Sequence, residues 1–126
     1  MASPKLVHIG SSVIDFIYRI ERLPGPGDDL TASAFQALPG GGFNMMVAAR
    51  RSGMRVAYAG KIGDGPFGNM LAEAFAAEGI ECTQPRSRGI DSGTCVVLVT
   101  ENDAERTFVS RPGAAGVISR DDHAYM

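Results

Sequence analysis

Gly40-Gly41-Gly42-Phe43-Asn44 places three consecutive glycines directly before a run of helix-forming residues. Three missing Cβ atoms let a ligand reach the backbone, and the N–H groups exposed there sit at the positive end of the helix dipole. A polyhydroxylated or anionic ligand suits such a surface. Asn44 carries both a donor and an acceptor, which matches a sugar hydroxyl that is itself both. The same residues also suit a flexible connector in which Asn44 only caps the helix. No Gly-Lys-Ser/Thr follows, so the segment is not a Walker loop.

Asp15 follows Gly10-Ser11-Ser12-Val13-Ile14 at the C-terminal end of a first strand, the edge on which open α/β sheets bind ligands. A carboxylate that accepts two hydroxyl hydrogen bonds is a natural anchor for a vicinal diol, and the alternative is a solvated strand-end carboxylate. Arg111, in Ser110-Arg111-Pro112-Gly113, is either a fork aimed at an anionic substrate group or an exposed hairpin-end arginine. Gly63-x-Gly65-x-x-Gly68 formally satisfies the dinucleotide fingerprint and keeps an NAD-binding reading open. Against it, Glu81 opens the next strand where an acid should end it, and Pro66 removes an N–H from the turn. A tight turn with Asp64 near the helix start and Gly68 allowing close packing accounts for it better. His8 and His123 lack companions at metal-ligand spacing, and His8 reads as a hydrogen-bonded core histidine. Met45 and Met46 suit either core packing or a soft pocket wall.

These groups must be held by alternating strands and helices. Lys5 to Gly10 reads as a strand buried on both faces of a parallel sheet. Val13 to Ile20 and Leu30 to Leu38 form a hairpin around the Leu23-Pro24-Gly25-Pro26-Gly27-Asp28 turn. A helix is expected from Asn44, as N-cap, to Ser52, closed by Gly53, and another from about Phe67 to Glu78, closed by Gly79. Arg55 to Gly60 and Ile80 to Thr83 are strand candidates, and Thr94 to Thr100 carries the strongest strand pattern. Arg106 to Ser110 returns as its hairpin partner, and Ser119 is placed to cap a further helix. Alternation in the middle argues an α/β class with parallel pairing, beside an antiparallel element made by the two hairpins.

Composition excludes several classes. With 126 residues, 44% hydrophobic, 21% charged and a formal charge of −2, the chain is neither disordered nor a basic nucleic-acid platform. No run approaches the roughly 18 apolar residues of a membrane span, and no signal segment opens the chain, so no membrane partner and a cytoplasmic setting are expected. Cys82 and Cys95 lack a CxxC pattern and read as buried thiols. The 16 glycines and 7 prolines follow no repeat and gather at turns.

Taken in order, these segments resemble the N-terminal half of ribokinase-like (PfkB-type) carbohydrate kinases. The resemblance runs from Val7 to about Ala114 and rests on five segments. They are Gly10-Ser11 with Asp15, the Leu23-Pro24 turn with Gly27, the Gly40 to Asn44 signature with Gly53 and Gly63, the Gly63-Asp64 turn with Gly68, and Glu105-Arg106-Thr107-Phe108. It implies an incomplete three-layer α/β sandwich with a small antiparallel β-lid over a sugar, the lid segments lying at about 13–38 and 92–111. By this resemblance Asp15 binds sugar hydroxyls, and Gly41, Gly42 and Asn44 line the sugar site. Arg111 at the lid's exit favours a phosphate, carboxylate or sulfonate on the substrate. Val13 stands two before Asp15, where ribokinases often carry Asn, and Met46 stands where the signature usually has a small residue. The family's Gly-Ala-Gly-Asp motif, which supplies the catalytic Asp, does not occur, because Gly113-Ala114-Ala115-Gly116 is followed by Val117. The resemblance therefore implies ATP and Mg²⁺ as reaction partners without placing their ligands among these residues. The expectation is the sugar-recognition part of a kinase, inactive alone and able to pair as a homodimer through its lid. The competing expectation is a non-catalytic carbohydrate- or nucleoside-binding module dimerising through its hairpins.

Overall fold

The computed structural model describes residues 5–125. Its strands are β1 (Lys5–His8), β2 (Ser12–Ile20), β3 (Ala34–Gly41), β4 (Arg55–Tyr58), β5 (Glu81–Cys82), β6 (Ser92–Thr100) and β7 (Arg106–Gly113). Two α-helices, α1 (Phe43–Arg51) and α2 (Pro66–Ala77), and two 3₁₀ helices, Ala114–Val117 and Arg120–Tyr125, complete it. β1, β4 and β5 form a parallel sheet in the order β1-β4-β5. The second sheet runs β3-β2-β6-β7.

Both hairpins form as their patterns require, but the strands that join them, β2 and β6, run parallel, with Asp15 opposite Cys95. The lid sheet is therefore mixed rather than wholly antiparallel. Its inner face meets α2 through Ile14, which is fully buried, and through Phe16, whose ring stands edge-on to Phe67 at 5.5 Å. Ile14, Met46, Val56, Tyr58, Leu71 and Phe75 share the main core, where Tyr58 stacks on Phe75 at 5.0 Å. Met46 thus belongs to the core, while Met45 is exposed.

Several expectations need correction. β1 is not buried on both faces: Val7 is 43% exposed and Ile9 58%, because among the described residues only β4 pairs with it and one face lacks a covering layer. Cys82 is exposed on the short β5, and only Cys95 is buried. The N-cap of α1 is Gly42, because β3 runs on to Gly41 and leaves one residue between strand and helix. Asn44 therefore sits in the first turn, exposed. Both helices do close as expected, with Gly53 (φ +97°) and Gly79 (φ +69°) at the C′ positions that favour left-handed backbone. After Ser119 the chain forms a 3₁₀ helix, and its first turn is tied by Asp122, whose carboxylate accepts from Ser119 N–H at 2.6 Å. No helix of the described residues is long and apolar enough to cross a membrane.

Candidate functional site

The β2–β3 register places Gly40 opposite Val13 and Gly41 opposite Ser12, so the glycine run folds back along the start of β2. Asp15, two residues along β2 from Val13, shares a face with Gly40, and its carboxylate occupies the space a side chain at Gly40 would need. Gly40 is thus required for Asp15 to lie where it does. The spacing alone gave no sign of this, because a hairpin with a long loop leaves its register unspecified by the turn.

Gly41 adopts φ +65°, and a Cβ there would approach Ser11 O to 2.8 Å, so backbone conformation and space both select glycine. The next residue ties the two segments together, since Gly42 N–H donates to Ser11 O at 2.9 Å. That bond corrects the expectation that the Gly42 amide is free for a ligand. α1 has no side-chain cap, so the N–H groups of its first turn, Asn44 included, begin the helix without one.

A cleft of about 300 Å³ opens on this wall, its lining including Ser11, Asp15, Gly41, Cys95, Phe108, Ser110 and Arg111. Three of the five residues expected at a sugar site, Asp15, Gly41 and Arg111, therefore meet in one cleft. Gly42 and Asn44 stand beside it at the head of α1 rather than in its lining. Across the lid, the row Leu38, Asp15, Cys95, Ser110 runs through all four strands. Ser110 Oγ donates to Cys95 Sγ at 3.3 Å, which leaves Asp15 as the one carboxyl group of that row.

Burial pushes the Asp15 carboxyl above its ordinary value, and the positive charge of Arg106 on β7 partly opposes this. Desolvation without a full complement of donors is what an incoming diol would relieve, because its hydroxyls donate to the charged form. Arg111 is exposed and makes no ion pair among the described residues, where the pairs are Arg22–Asp28, Arg51–Glu78 and Lys61–Asp122. Its guanidinium is available to an anion in the cleft.

The Gly63 to Gly68 turn is built for another purpose. The Asp91 carboxylate accepts from Phe67 N–H at 3.0 Å and Gly68 N–H at 2.8 Å, which caps α2 from a distant loop. Arg86 places its fork on Gly63 O, and a Cβ at Gly68 would overlap that carbonyl. A pyrophosphate would need the amides that Asp91 already holds, so the dinucleotide reading fails here. Asp64 does not cap the helix either; it accepts from Gly89 N–H at 2.9 Å.

Burial pushes the Asp91 carboxyl up, but the amides of Gly68, Phe67, Ser92 and Gly65 more than reverse this and leave its pKa lowered. A lowered carboxyl pKa contributes stability that is present above the unfolded value of about 3.9 and is lost as pH falls through the folded value. Asp91→Asn keeps one acceptor but turns an N–H toward the amides, and is expected to cost about 2 kcal/mol at neutral pH. The difference between wild type and variant should shrink below about pH 4 in urea melts. A pH-independent difference would assign the effect to packing.

Comparison with known proteins decides the family. The model for pfkB family carbohydrate kinases matches residues 3–125, nearly the whole chain. The chain belongs to the pfkB family of carbohydrate kinases. Among curated pfkB relatives it is 33% identical over 98 residues to a ribokinase of Bacillus subtilis, covering 75% of this chain and 33% of that protein. It is 33% identical over 123 residues to a probable fructokinase of Arabidopsis thaliana, covering 93% of this chain and 33% of that protein. Among solved structures, Arabidopsis thaliana ribokinase complexed with ribose and ATP superposes with a TM-score of 0.77 at 28% identity, over 99% of this chain and 42% of that one. Giardia lamblia ribokinase superposes with a TM-score of 0.85 at 22% identity, over 98% and 40%, and supports the fold. The chain thus spans about a third of the length of the curated pfkB relatives it matches. The ribokinase-like fold expected from the motifs is borne out.

Proposed function

We propose that this chain is the sugar-recognition part of an ATP-dependent carbohydrate kinase, which transfers the γ-phosphoryl group of ATP to a hydroxyl of a sugar or sugar derivative. The observation that carries this reading is the Asp15 carboxylate, desolvated over Gly40 and facing the cleft that Gly41 and Arg111 also line. Asp15 accepts hydrogen bonds from two sugar hydroxyls, and Gly41 lets the ring approach the backbone. Asn44 and Gly42 hold the head of α1 at the cleft's edge. The similarity to a ribokinase complexed with ribose and ATP supports the same substrate classes for this chain.

Sugar-kinase chemistry depends on positioning the γ-phosphoryl group and neutralising its charge, for which ATP is bound with Mg²⁺. The described residues do not fit that task. They contain no group of three or more His, Cys, Asp or Glu placed to hold a metal, and the one glycine turn of suitable pattern is occupied by Asp91. We assign none of them to ATP or Mg²⁺ and derive no step through either. A homodimer through the lid belongs to the same proposal. The exposed Phe35, Leu38, Phe108 and Val109 on its outer strands support it.

Titration calorimetry with paired neutral and anionic sugars tests the role of Arg111. Arg111→Leu should weaken binding of a sugar acid or sugar phosphate by about tenfold, the worth of one charge-assisted hydrogen bond, and leave the neutral sugar within about twofold. Equal losses for both would remove the anion-binding role and leave Arg111 a structural residue of β7.

A further inference from the structure

The imidazole of His8 was expected in the core, but it stands half-buried behind the cleft wall, between two chain segments that build that wall. Its Nδ1 accepts from Gly10 N–H at 3.1 Å. The ring fills the space beside Gly42, where any Cβ would overlap it, and a Cβ at Gly10 would lie 2.6 Å from Cε1. Gly10 is held at its other polar group as well, since Tyr58 Oη donates to Gly10 O at 2.8 Å. The next residue, Ser11, lines the cleft and accepts from Gly42 N–H. A continuous connection thus runs from His8 through Gly10 and Ser11 to Gly42 and the head of α1.

We propose that His8 is a positioning residue for the sugar cleft, fixing the Gly10-Ser11 and Gly41-Gly42 segments against each other through its Nδ1 acceptor and its ring. The inference rests on the reading of the cleft as a sugar site and adds a residue that does not touch the sugar. An Nδ1 that accepts must be unprotonated, so the proton of the neutral ring sits on Nε2. Loss of the acceptor leaves the Gly10 N–H without its partner and frees Ser11 and Gly41 to move, although Asp15 is untouched. The affected quantity is the geometry of the wall, which a site reads as affinity.

The isosteric pair His8→Asn and His8→Leu separates the acceptor from the volume, because only Asn retains an acceptor where Nδ1 stood. Amide exchange by NMR on the ¹⁵N-labelled chain should be about tenfold faster at Gly10 in His8→Leu than in His8→Asn, with affinity for the best-binding probe, D-ribose or D-fructose, falling by a similar factor. Ring ¹⁵N spectra of the wild-type chain should show the Nε2–H tautomer, a signature that needs no variant to fold. Equal exchange and equal affinity in the two variants, or an Nδ1–H tautomer in the wild type, would overturn the inference. If neither sugar binds the wild-type chain, the reading of the cleft fails, while the Gly10 amide and the ring tautomer still judge His8.

Discussion

Asp15→Asn should weaken sugar binding by on the order of a hundredfold, from the loss of two charge-assisted hydrogen bonds, while leaving the melting temperature unchanged or slightly raised. The two effects part because Asp15 is held at a disadvantage in the free protein. Burial raises its pKa and Arg106 only partly offsets this, so the folded state favours the protonated acid more than the unfolded chain does. A raised carboxyl pKa means that ionisation above it works against folding, and a neutral amide of the same shape removes that penalty. The same shift gives a pH signature for function. Sugar affinity should decline on acidification through a pKa higher than that of an ordinary carboxyl, because only the charged form accepts from both hydroxyls. In the proposed full-length kinase, Asp15→Ala should raise KM for sugar and lower kcat while ATP binding stays nearly intact. A variant that loses sugar binding and melts much earlier would instead mark Asp15 as a structural residue.

Gly68→Ala should have the largest effect on stability, lowering it by about 3 kcal/mol and the melting temperature by about 10 °C. The added methyl would overlap the carbonyl of Gly63, and backbone rather than a flexible side chain stands in its way. Moving Gly63 also dislodges the Arg86 fork, and moving the head of α2 strains the amides that Asp91 accepts from. The next residue after Asp91 is Ser92, the first of β6, whose Oγ accepts from Gly63 N–H at 2.9 Å. The lid is rooted in the core at this point, so the damage should spread to it. Thermal melts of the variant check the figure; a shift of only a degree or two would show that α2 can slide without loss.

How much of this was legible in the sequence depends on how local each feature is. The β-branched run Thr94 to Thr100 gave β6, and Gly53 and Gly79 gave the ends of both helices, because strand pattern and left-handed C′ residues act within a few positions. Features set by register or by distant partners were hidden. The start of α1 shifted from Asn44 to Gly42 because β3 extends through Gly41, and strand length depends on pairing with β2. The Gly40–Asp15 contact depends on the same register. Asp91 caps α2 from 23 and 24 residues away, where a local search for a cap finds none. His8 reads as a core residue in an apolar strand, and its place behind the glycine loop follows only from the packing of β1 against α1. Asp15, Gly41 and Arg111 were legible as chemistry, but their shared cleft required the parallel pairing of β2 with β6, which neither hairpin pattern implies.

Amide chemical-shift mapping of the ¹⁵N-labelled chain during titration with D-ribose, D-fructose and their acid or phosphate derivatives tests the central claim most directly. Saturable shifts confined to Ser11, Asp15, Gly41, Cys95 and Arg111, absent in Asp15→Asn, are the predicted result. Shifts centred on the Gly63 to Gly68 turn, or equal shifts in wild type and Asp15→Asn, would contradict it.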